Sequence, residues 1–262
     1  MEITFYETAM AFREACGKYL RQEEAENNMF LGNVDTAVSV SGAEKYMLGA
    51  VSEQDRVVLV FLGNPKGQLF LYASEKQPNP SPYAFLADAL LQAGFPAIGV
   101  KAAPLTAKLF AQEYSKRAKR KYRIHMRMNI LLLTKLQPIK LLDLAVKKIT
   151  ENGEYDLSAE QLPFIREAIH AREGLYFLIK NGVPVSQASI RRKVSMGGVY
   201  TPQEHRRNGY SSTLVFHLAK YILDDGNPYC VVHTDATNEI SNQMYYNIGF
   251  EHCADMLDIA IS

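Results

Sequence analysis

The hydrophobic and polar positions of this chain follow two regular patterns. Apolar residues three and four positions apart predict helices, and short apolar runs bounded by turn residues predict strands. In the first half these patterns predict helices at residues 10–29, 83–94 and 105–117. They also predict strands at residues 46–51, 57–62, 69–73, 97–101 and 122–133.

The second half of the chain shows the same kinds of pattern. Helices are predicted at residues 139–150, 158–172, 211–223 and 239–247, and strands at 175–180, 185–194, 198–201, 229–234 and 252–261. Asn181-Gly182 is typical of a tight hairpin turn between two of these strands.

The order of the predicted elements is similar in the two halves. Each half has helices, then antiparallel strands, then a helix, a strand, a helix and a strand. This order predicts an α/β fold of the α+β type with mixed sheets. We expect two similar domains, residues 1–135 and 136–262, each a mostly antiparallel twisted sheet flanked by helices. One continuous mixed domain is the alternative.

Composition restricts the function classes only loosely. The 262 residues are 47% hydrophobic and carry a net charge of +1, so bulk charge predicts neither nucleic-acid nor membrane binding. Three cysteines, Cys16, Cys230 and Cys253, lack metal-type spacing, and an odd count favours a reducing compartment. The chain begins without a secretory pattern, and its apolar runs are too short to cross a bilayer. We expect a cytoplasmic protein with no membrane partner.

A basic glycine turn precedes the helix predicted at residues 211–223. Its core is Arg206-Arg207-Asn208-Gly209, directly after the strand predicted at 198–201. The first backbone N–H groups of a helix are unpaired and favour an anion such as phosphate. Arginines add charge, and glycine lets the backbone approach a ligand closely. The alternative is a tight connection with a solvated basic edge.

The helix after this turn is predicted to pack on the sheet. Leu214, Leu218, Tyr221 and Ile222 are expected to share its apolar face. The helix N-terminus would then lie at the end of the preceding strand, beside an open strand edge. This arrangement suits a pyrophosphate next to an extended ligand.

A second segment, residues 237–250, carries a candidate proton donor. Asn238 and Tyr245 are about two helical turns apart and are expected to lie on nearly the same face. A tyrosine there could donate a proton into a cleft. The alternative is a core tyrosine with a satisfied hydroxyl group.

These two segments together resemble the GNAT N-acetyltransferase superfamily. Arg206-x-x-Gly209-x-Ser211 is similar to its acetyl-CoA signature, [Gln/Arg]-x-x-Gly-x-[Gly/Ala], although Ser211 departs from the small apolar residue usual there. The downstream segment is similar to the family's Asn-x-x-Ala-x-x-Leu-Tyr-x-x-x-Gly-Phe, and here it reads Asn238-x-x-Ser241-x-x-Met244-Tyr245-x-x-x-Gly249-Phe250.

The resemblance implies an acetyl-CoA site. The backbone N–H groups of Arg207 through Ser212 would hold the pyrophosphate, with Arg206 beside them, and Asn238 would bind the pantetheine arm. Tyr245 would protonate the departing CoA thiolate. The remaining implied positions are the strand residues that would pair with pantetheine and the turn residues within the pyrophosphate loop: Val199, Tyr200, Thr201, Asn208, Gly209, Tyr210 and Ser211.

The implied activity is transfer of acetyl from acetyl-CoA to a primary amine by direct attack. The acceptor would be a small molecule or a peptide. Two alternatives remain open. One is a non-catalytic acyl-CoA sensor or scaffold, and the other is an acyltransferase acting on an RNA-associated substrate. The oligomeric state stays open as well.

The general base is not identified by the sequence. The strand before the turn, residues 195–200, has no carboxylate. Glu204, His205, His233 and Asp235 are candidates by proximity, and a water chain is an equal alternative. His233-x-Asp235 offers only two possible ligands at a strand end, so no metal is expected.

Two further features belong to the first half. Its corresponding turn, residues 74–82, contains three prolines and no glycine, so by the resemblance it is a degenerate copy that does not bind CoA. Residues 116–123 form a basic run, interpreted as the solvated end of a helix. Binding of RNA, an acidic substrate or the CoA 3′-phosphate by this run is the alternative.

Overall fold

The computed structural model describes residues 1–39, 46–74, 79–148 and 174–262. These residues form two compact units. The first contains residues 1–129, 235–237 and 254–262, and the second contains residues 130–234 and 238–253. The last nine residues thus group with the first unit. The division into separate domains at residues 135 and 136 stays a prediction.

The sheet of the first unit is largely antiparallel. Neighbouring strands run in the order β1, β2, β3, β4, β5 and then the C-terminal strand β12, and only the β4–β5 pair among these is parallel. These strands are β1 (Glu2–Phe5), β2 (Met47–Glu53), β3 (Arg56–Gly63), β4 (Gln68–Tyr72), β5 (Gly99–Ala102) and β12 (Glu251–Ile261). The strand β6 (Tyr122–Leu133) comes after β5 in the chain.

Helices cover both faces of this sheet. Strand β3 shows why, because Leu59 and Phe61 enter one hydrophobic core while Val60 and Leu62 enter another. The first core is closed by α3 (Ser81–Gln92) and α4 (Pro104–Ala118), and the second by α1 (Ala9–Leu20) and α2 (Asn28–Ser39).

The single helix predicted at residues 10–29 is wrong, because the chain forms two helices separated by a short 3₁₀ turn, Arg21–Glu23. Buried Asn27 explains the break. Its Nδ2 donates to the carbonyl of Leu20 at 2.9 Å and satisfies a group at the end of α1. The helix α2 then continues to Ser39.

The sheet of the second unit contains both antiparallel and parallel pairs. Strands β7, β8, β9 and β10 are antiparallel neighbours in chain order, and β10 pairs with β11 in parallel. Their bounds are β7 (Ala145–Lys148), β8 (Gly174–Lys180), β9 (Val183–Arg191), β10 (Ser195–Tyr200) and β11 (Cys230–Asp235). Asn181 and Gly182 have positive φ, 50° and 81°, which confirms the predicted hairpin turn.

Strand β7 corrects another prediction. A helix was expected at residues 139–150, but β7 occupies part of this range and pairs with β8. Leu142, Leu144 and Val146 pack against the core at alternate positions, which is a strand period. The helix predicted at residues 158–172 lies outside the described residues.

Among the described residues, two helices accompany this sheet, α5 (Tyr210–Asp224) and α6 (Glu239–Ile248). Leu214, Leu218 and Ile222 are buried in the core as predicted. Tyr221 is 57% exposed and so does not share their face. Its ring instead lies 6.5 Å from that of Tyr176.

Each unit contains the same strand–helix–strand arrangement. In the first unit α3 connects parallel strands β4 and β5, and in the second α5 connects parallel strands β10 and β11. A further helix follows each second strand, namely α4 and α6. The α/β class with mixed sheets and flanking helices is therefore confirmed. Within the described ranges, no helix has the length and apolar character needed to cross a membrane.

Candidate functional site

Strands β10 and β11 lose their common register partway along their length. Ser195 is paired with Val231 and Met196 with Val232, and the register recorded for the described residues ends there. Strand β10 nevertheless continues to Tyr200. Against β9 it has a bulge between Gly197 and Tyr200, with Gly198 at φ +59°. A bulge bends a strand and increases its local twist, so β10 changes direction beyond the point where its recorded register with β11 ends.

The N-terminus of α5 follows this strand end. Gly209 is its N-cap residue, with φ +77° and ψ 8°, and no side chain among the described residues caps it. The first N–H groups of the helix therefore have no intrahelical acceptor. A Cβ atom added at Gly209 would meet Leu142 at 3.9 Å, which is ordinary van der Waals contact, so the side-chain position of residue 209 is not crowded. These features fit an anionic pyrophosphate group.

The loop between β10 and α5 is held by its own polar side chains. Arg206 Nε donates to the carbonyl of Thr201 at 3.0 Å. Asn208 Nδ2 donates to the carbonyls of His205 and Arg206 at 3.2 and 3.1 Å. Arg207 is exposed and has φ +62°. The side chains of Arg206 and Asn208 thus stabilise the loop through backbone carbonyl groups, while the side chain of Arg207 is exposed to solvent.

The start of α5 also involves residues that the sequence did not single out. Lys180, the last residue of β8, donates from Nζ to the hydroxyl group of buried Tyr210 at 2.8 Å. This contact fixes a cation at the first residue of the helix. Ser186 Oγ lies 2.9 Å from Thr201 Oγ1 and 3.3 Å from the carbonyl of Tyr200. Their positions far apart in sequence left no local signal.

Tyr245 lies in the core of the second unit. It is 4% exposed, and its ring contacts Phe250 edge to face at 5.3 Å. Burial, with a smaller contribution from neighbouring Cys230, raises the pKa of the Tyr245 hydroxyl above its usual range. The phenol therefore keeps its proton at neutral pH. Its role as the acid stays a prediction.

Asn238 has a different environment from Tyr245. It is exposed and caps α6, because its Oδ1 accepts from the N–H of Ser241 at 3.1 Å. Asn238 is the N-cap residue of α6, and its expected placement on the same face as Tyr245 stays a prediction. The cap uses the side-chain oxygen of Asn238, and binding of pantetheine by this residue stays a prediction.

A buried polar pair lies beneath α6. Thr234 Oγ1 donates to Asn242 Oδ1 at 2.5 Å, and both residues are nearly inaccessible. Such a pair ties β11 to α6 and fixes how the helix is placed on the sheet. The sequence motif does not show it, because only the fold brings the two side chains together.

The four base candidates are in different settings. Asp235 accepts from Thr237 through Oδ1, from the N–H at 2.9 Å and from Oγ1 at 2.7 Å, and these bonds lower the pKa of its carboxyl group. A lowered pKa makes Asp235 a weak base. Glu204 is exposed, and His205 contacts the ring of Tyr210 at 6.2 Å. His233 is half-buried on β11. In the described part of the chain, no three potential metal ligands lie together.

Solved structures with the same fold cover nearly the whole chain. A Drosophila protein has a TM-score of 0.70 at 8% identity, covering 99% of this chain and 98% of that one. A GCN5-related N-acetyltransferase from Sphaerobacter thermophilus has a TM-score of 0.61 at 12% identity, covering 98% and 94%. A tandem GNAT protein from the clavulanic acid biosynthesis pathway has a TM-score of 0.60 at 12% identity, covering 100% and 98%.

The chain therefore shares the fold of these solved acetyltransferases over nearly its whole length. Residues 187–257, which include the glycine turn and α6, match the model of the FR47-like protein family. No curated protein matches the chain in sequence. The resemblance expected from the two sequence motifs is thus confirmed.

Proposed function

We propose that this protein transfers an acetyl group from acetyl-CoA to a primary amine. The observation that carries the proposal is the uncapped mouth of α5 at Gly209, next to the bulged end of β10. The match of residues 187–257 to an FR47-like family model supports it. Acetyl-CoA, when bound, supplies the activated acetyl thioester.

The residues of the site divide into three tasks. The N–H groups of residues 207–212 would hold the pyrophosphate, with charge from Arg207 and Lys180. The backbone of residues 199–201 would pair with the pantetheine amides. An amide near Val199 would stabilise the negative charge that develops on the thioester oxygen.

The chemical step needs two proton movements. The amine nitrogen attacks the thioester carbonyl carbon, the C–N bond forms, and the C–S bond breaks. The nitrogen loses a proton to a base, for which we choose half-buried His233 over Asp235, because hydrogen bonds from Thr237 lower the pKa of the Asp235 carboxyl group. Tyr245 would give its hydroxyl proton to the leaving sulfur and regain one from solvent. Because a phenol is a weaker acid than a thiol, this transfer requires a close hydrogen bond.

Calorimetry with CoA and a thiol-release assay test the proposal together. We expect the wild-type protein to bind CoA and to release CoA thiol from acetyl-CoA in the presence of some amine in a panel of amino-acid amides, polyamines, aminoglycosides and peptides. Absence of CoA binding would reject the cofactor site. Binding without release from any member would reject the transferase function.

A non-catalytic acyl-CoA sensor is the second candidate. The burial of Tyr245 and the lack of a carboxylate on β10 favour it. The third hypothesis, an RNA-associated substrate, has less support. Within the basic run Arg117 pairs with Glu113 and with Asp88, and Lys119 ends α4. These are the features of a helix end, so retention on RNA is not part of the proposal.

A further inference from the structure

The strand β6 exposes basic side chains at alternate positions. Arg123, His125 and Arg127 are exposed, and the residues between them, at positions 124 and 126, are partly buried. Successive side chains of a strand point to opposite faces of its sheet. The three basic residues therefore share one face of the sheet in the first unit.

Lys121 extends this series by one position. Its N–H donates to the carbonyl of Ser262 at 2.8 Å, and its carbonyl accepts from the N–H of Ser262 at 2.9 Å, so its backbone is already paired like that of a strand. The side chain of Lys121 is exposed. Residues 121, 123, 125 and 127 are called the basic row below.

The basic row lies on the face of the sheet that α3 and α4 do not cover. Ile124 packs against the core that these two helices close, so Arg123 and His125 on either side of it point the other way. On that other face, the core closed by α1 and α2 takes its strand residues from β2, β3 and β4. It includes no described residue of β5, β6 or β12. The helices of this face therefore end before the basic row and leave it accessible.

Little negative charge balances the basic row. Lys101 on β5 and Asp258 on β12 alternate with residues of the core under α3 and α4, so both point to the face of the row. Lys101 Nζ lies 3.3 Å from Asp258 Oδ2, so these two charges offset each other. Within the described parts of β5, β6 and β12 in the first unit, Asp258 is the acidic residue on this face. Cations about 6.6 Å apart along β6 repel one another, and an anionic partner would relieve that repulsion.

An extended acidic peptide matches the basic row in spacing and in chemistry. Alternate side chains of an extended peptide are also about 6.6 Å apart, so acidic residues at every second position would meet successive members of the row. A guanidinium group binds a carboxylate through two parallel hydrogen bonds. Single-stranded nucleic acids are instead bound with aromatic side chains that stack on the bases. The described residues of β5, β6 and β12 place no Phe, Tyr or Trp on this face of the first unit, which favours a peptide.

We propose that the basic row is a docking site for an extended acidic segment of a partner protein, with Asp or Glu at alternate positions. The segment lies along β6, and its carboxylates accept hydrogen bonds from Lys121, Arg123 and Arg127. Each exposed ion pair contributes little, so the affinity depends on several pairs forming in register. The inference is independent of the proposed acetyl transfer, because it concerns binding at the surface of the first unit.

Two peptides of equal composition test the spacing. One alternates four Glu with four Ser, and the other has the four Glu in one block followed by the four Ser, both with blocked termini. When extended, the alternating peptide presents all its carboxylates on one side, and the block peptide presents half of them. A thymidylate oligonucleotide with the same number of negative charges is the nucleic-acid probe. Each is titrated into the full-length protein, and the NMR signals of the backbone amides of residues 121–127 give the Kd.

Two double variants test the residues. Arg123→Gln with Arg127→Gln removes two charges from the basic row. Lys108→Gln with Lys116→Gln is the matched control, because both lysines are exposed on α4, which covers the opposite face, and the net charge changes by the same amount. The titrations are made at an ionic strength of about 0.1 M, where the Debye length of about 10 Å screens charges on the far side of the sheet. The midpoint of thermal unfolding is measured for each variant.

We expect the wild-type protein to bind the alternating peptide about 2- to 30-fold more tightly than the block peptide, since two more exposed ion pairs form. The variant at positions 123 and 127 should lose affinity for the alternating peptide by a similar factor and should lose most of the difference between the peptides. The variant at positions 108 and 116 should keep both affinities within about twofold. The oligonucleotide should bind more weakly than the alternating peptide. Neither variant should lower the unfolding midpoint, because all four side chains are exposed.

Other outcomes overturn the inference in distinguishable ways. Unmoved amide signals at residues 121–127 reject the site, and equal affinity for the two peptides rejects docking in register. Equal losses in the two double variants show attraction by bulk charge only. Tighter binding of the oligonucleotide than of the alternating peptide identifies a nucleic-acid surface instead. A lowered unfolding midpoint in the variant at positions 123 and 127 alone assigns these arginines to the fold.

Discussion

Replacement of Gly209 by alanine separates the ligand site from the stability of the helix end. Gly209 has φ +77° at the N-cap position of α5, where an L residue is strained. Gly226 offers a matched control at the other end of the same helix, with φ +84° and no atom within 4 Å of an added Cβ. Both substitutions add one methyl group in a left-handed conformation.

The expected magnitudes differ only for the ligand. The left-handed conformation costs an alanine about 1–2 kcal/mol, and neither site has a close steric obstacle, so the two variants should lose similar stability. In the proposed site the anion binds at the N–H groups that follow residue 209, so a methyl group there would hinder its approach. Loss of one hydrogen bond to a charged group costs about 1.5–3 kcal/mol, which is roughly a 10- to 100-fold loss of CoA affinity.

Denaturant unfolding and calorimetric titration with CoA measure the two effects separately. Gly209→Ala should bind CoA at least tenfold more weakly than Gly226→Ala, while the free energies of unfolding of the two variants agree within the error of the method. Equal CoA affinity in the two variants would refute the argument that the mouth of α5 holds the pyrophosphate. A much larger stability loss in Gly209→Ala alone would show that the glycine serves the fold.

Three further predictions concern the polar groups near α6. Tyr245→Phe should lower turnover by about 10²–10⁴-fold with unchanged CoA affinity if the hydroxyl is the acid, and unchanged turnover in the thiol-release assay would remove that assignment. Thr234→Val should lower the free energy of unfolding by about 1–3 kcal/mol, since buried Asn242 loses its donor, and denaturant titration measures this. Thr237→Val should raise the pKa of Asp235, measured by NMR. The folded-state pKa of Asp235 is lowered, so the stability that this carboxylate contributes is complete above about pH 4 and is lost as the pH falls through the folded pKa. In the variant, the free energy of unfolding should decrease less over this pH range. An unmoved Asp235 titration would contradict the assigned cause.

Local signals explain which parts of the fold were predictable from sequence. The hairpin at Asn181-Gly182 depends on two residues that adopt positive φ readily, so this pair of adjacent residues is sufficient to predict the turn. The strand–turn–helix around Gly209 is similarly local, and its glycine has the conformation that the motif requires. The break near Asn27 and the strand β7 were missed. The break is stabilised by the hydrogen bond from Asn27 to the carbonyl of Leu20, and β7 is stabilised by its pairing with β8. Neither contact can be predicted from a short segment of sequence.

The sequence by itself determined the class of fold, the glycine turn and the residues that match the GNAT motifs, because these depend on backbone preferences and residue spacing over short distances. Only the tertiary structure decided the surroundings of the individual side chains. It buries Tyr245 beside Cys230, and it places Lys180 at the first residue of α5. These settings arise from strands and helices that are distant in sequence, and burial and hydrogen bonding depend on such neighbours rather than on the identity of the residue alone.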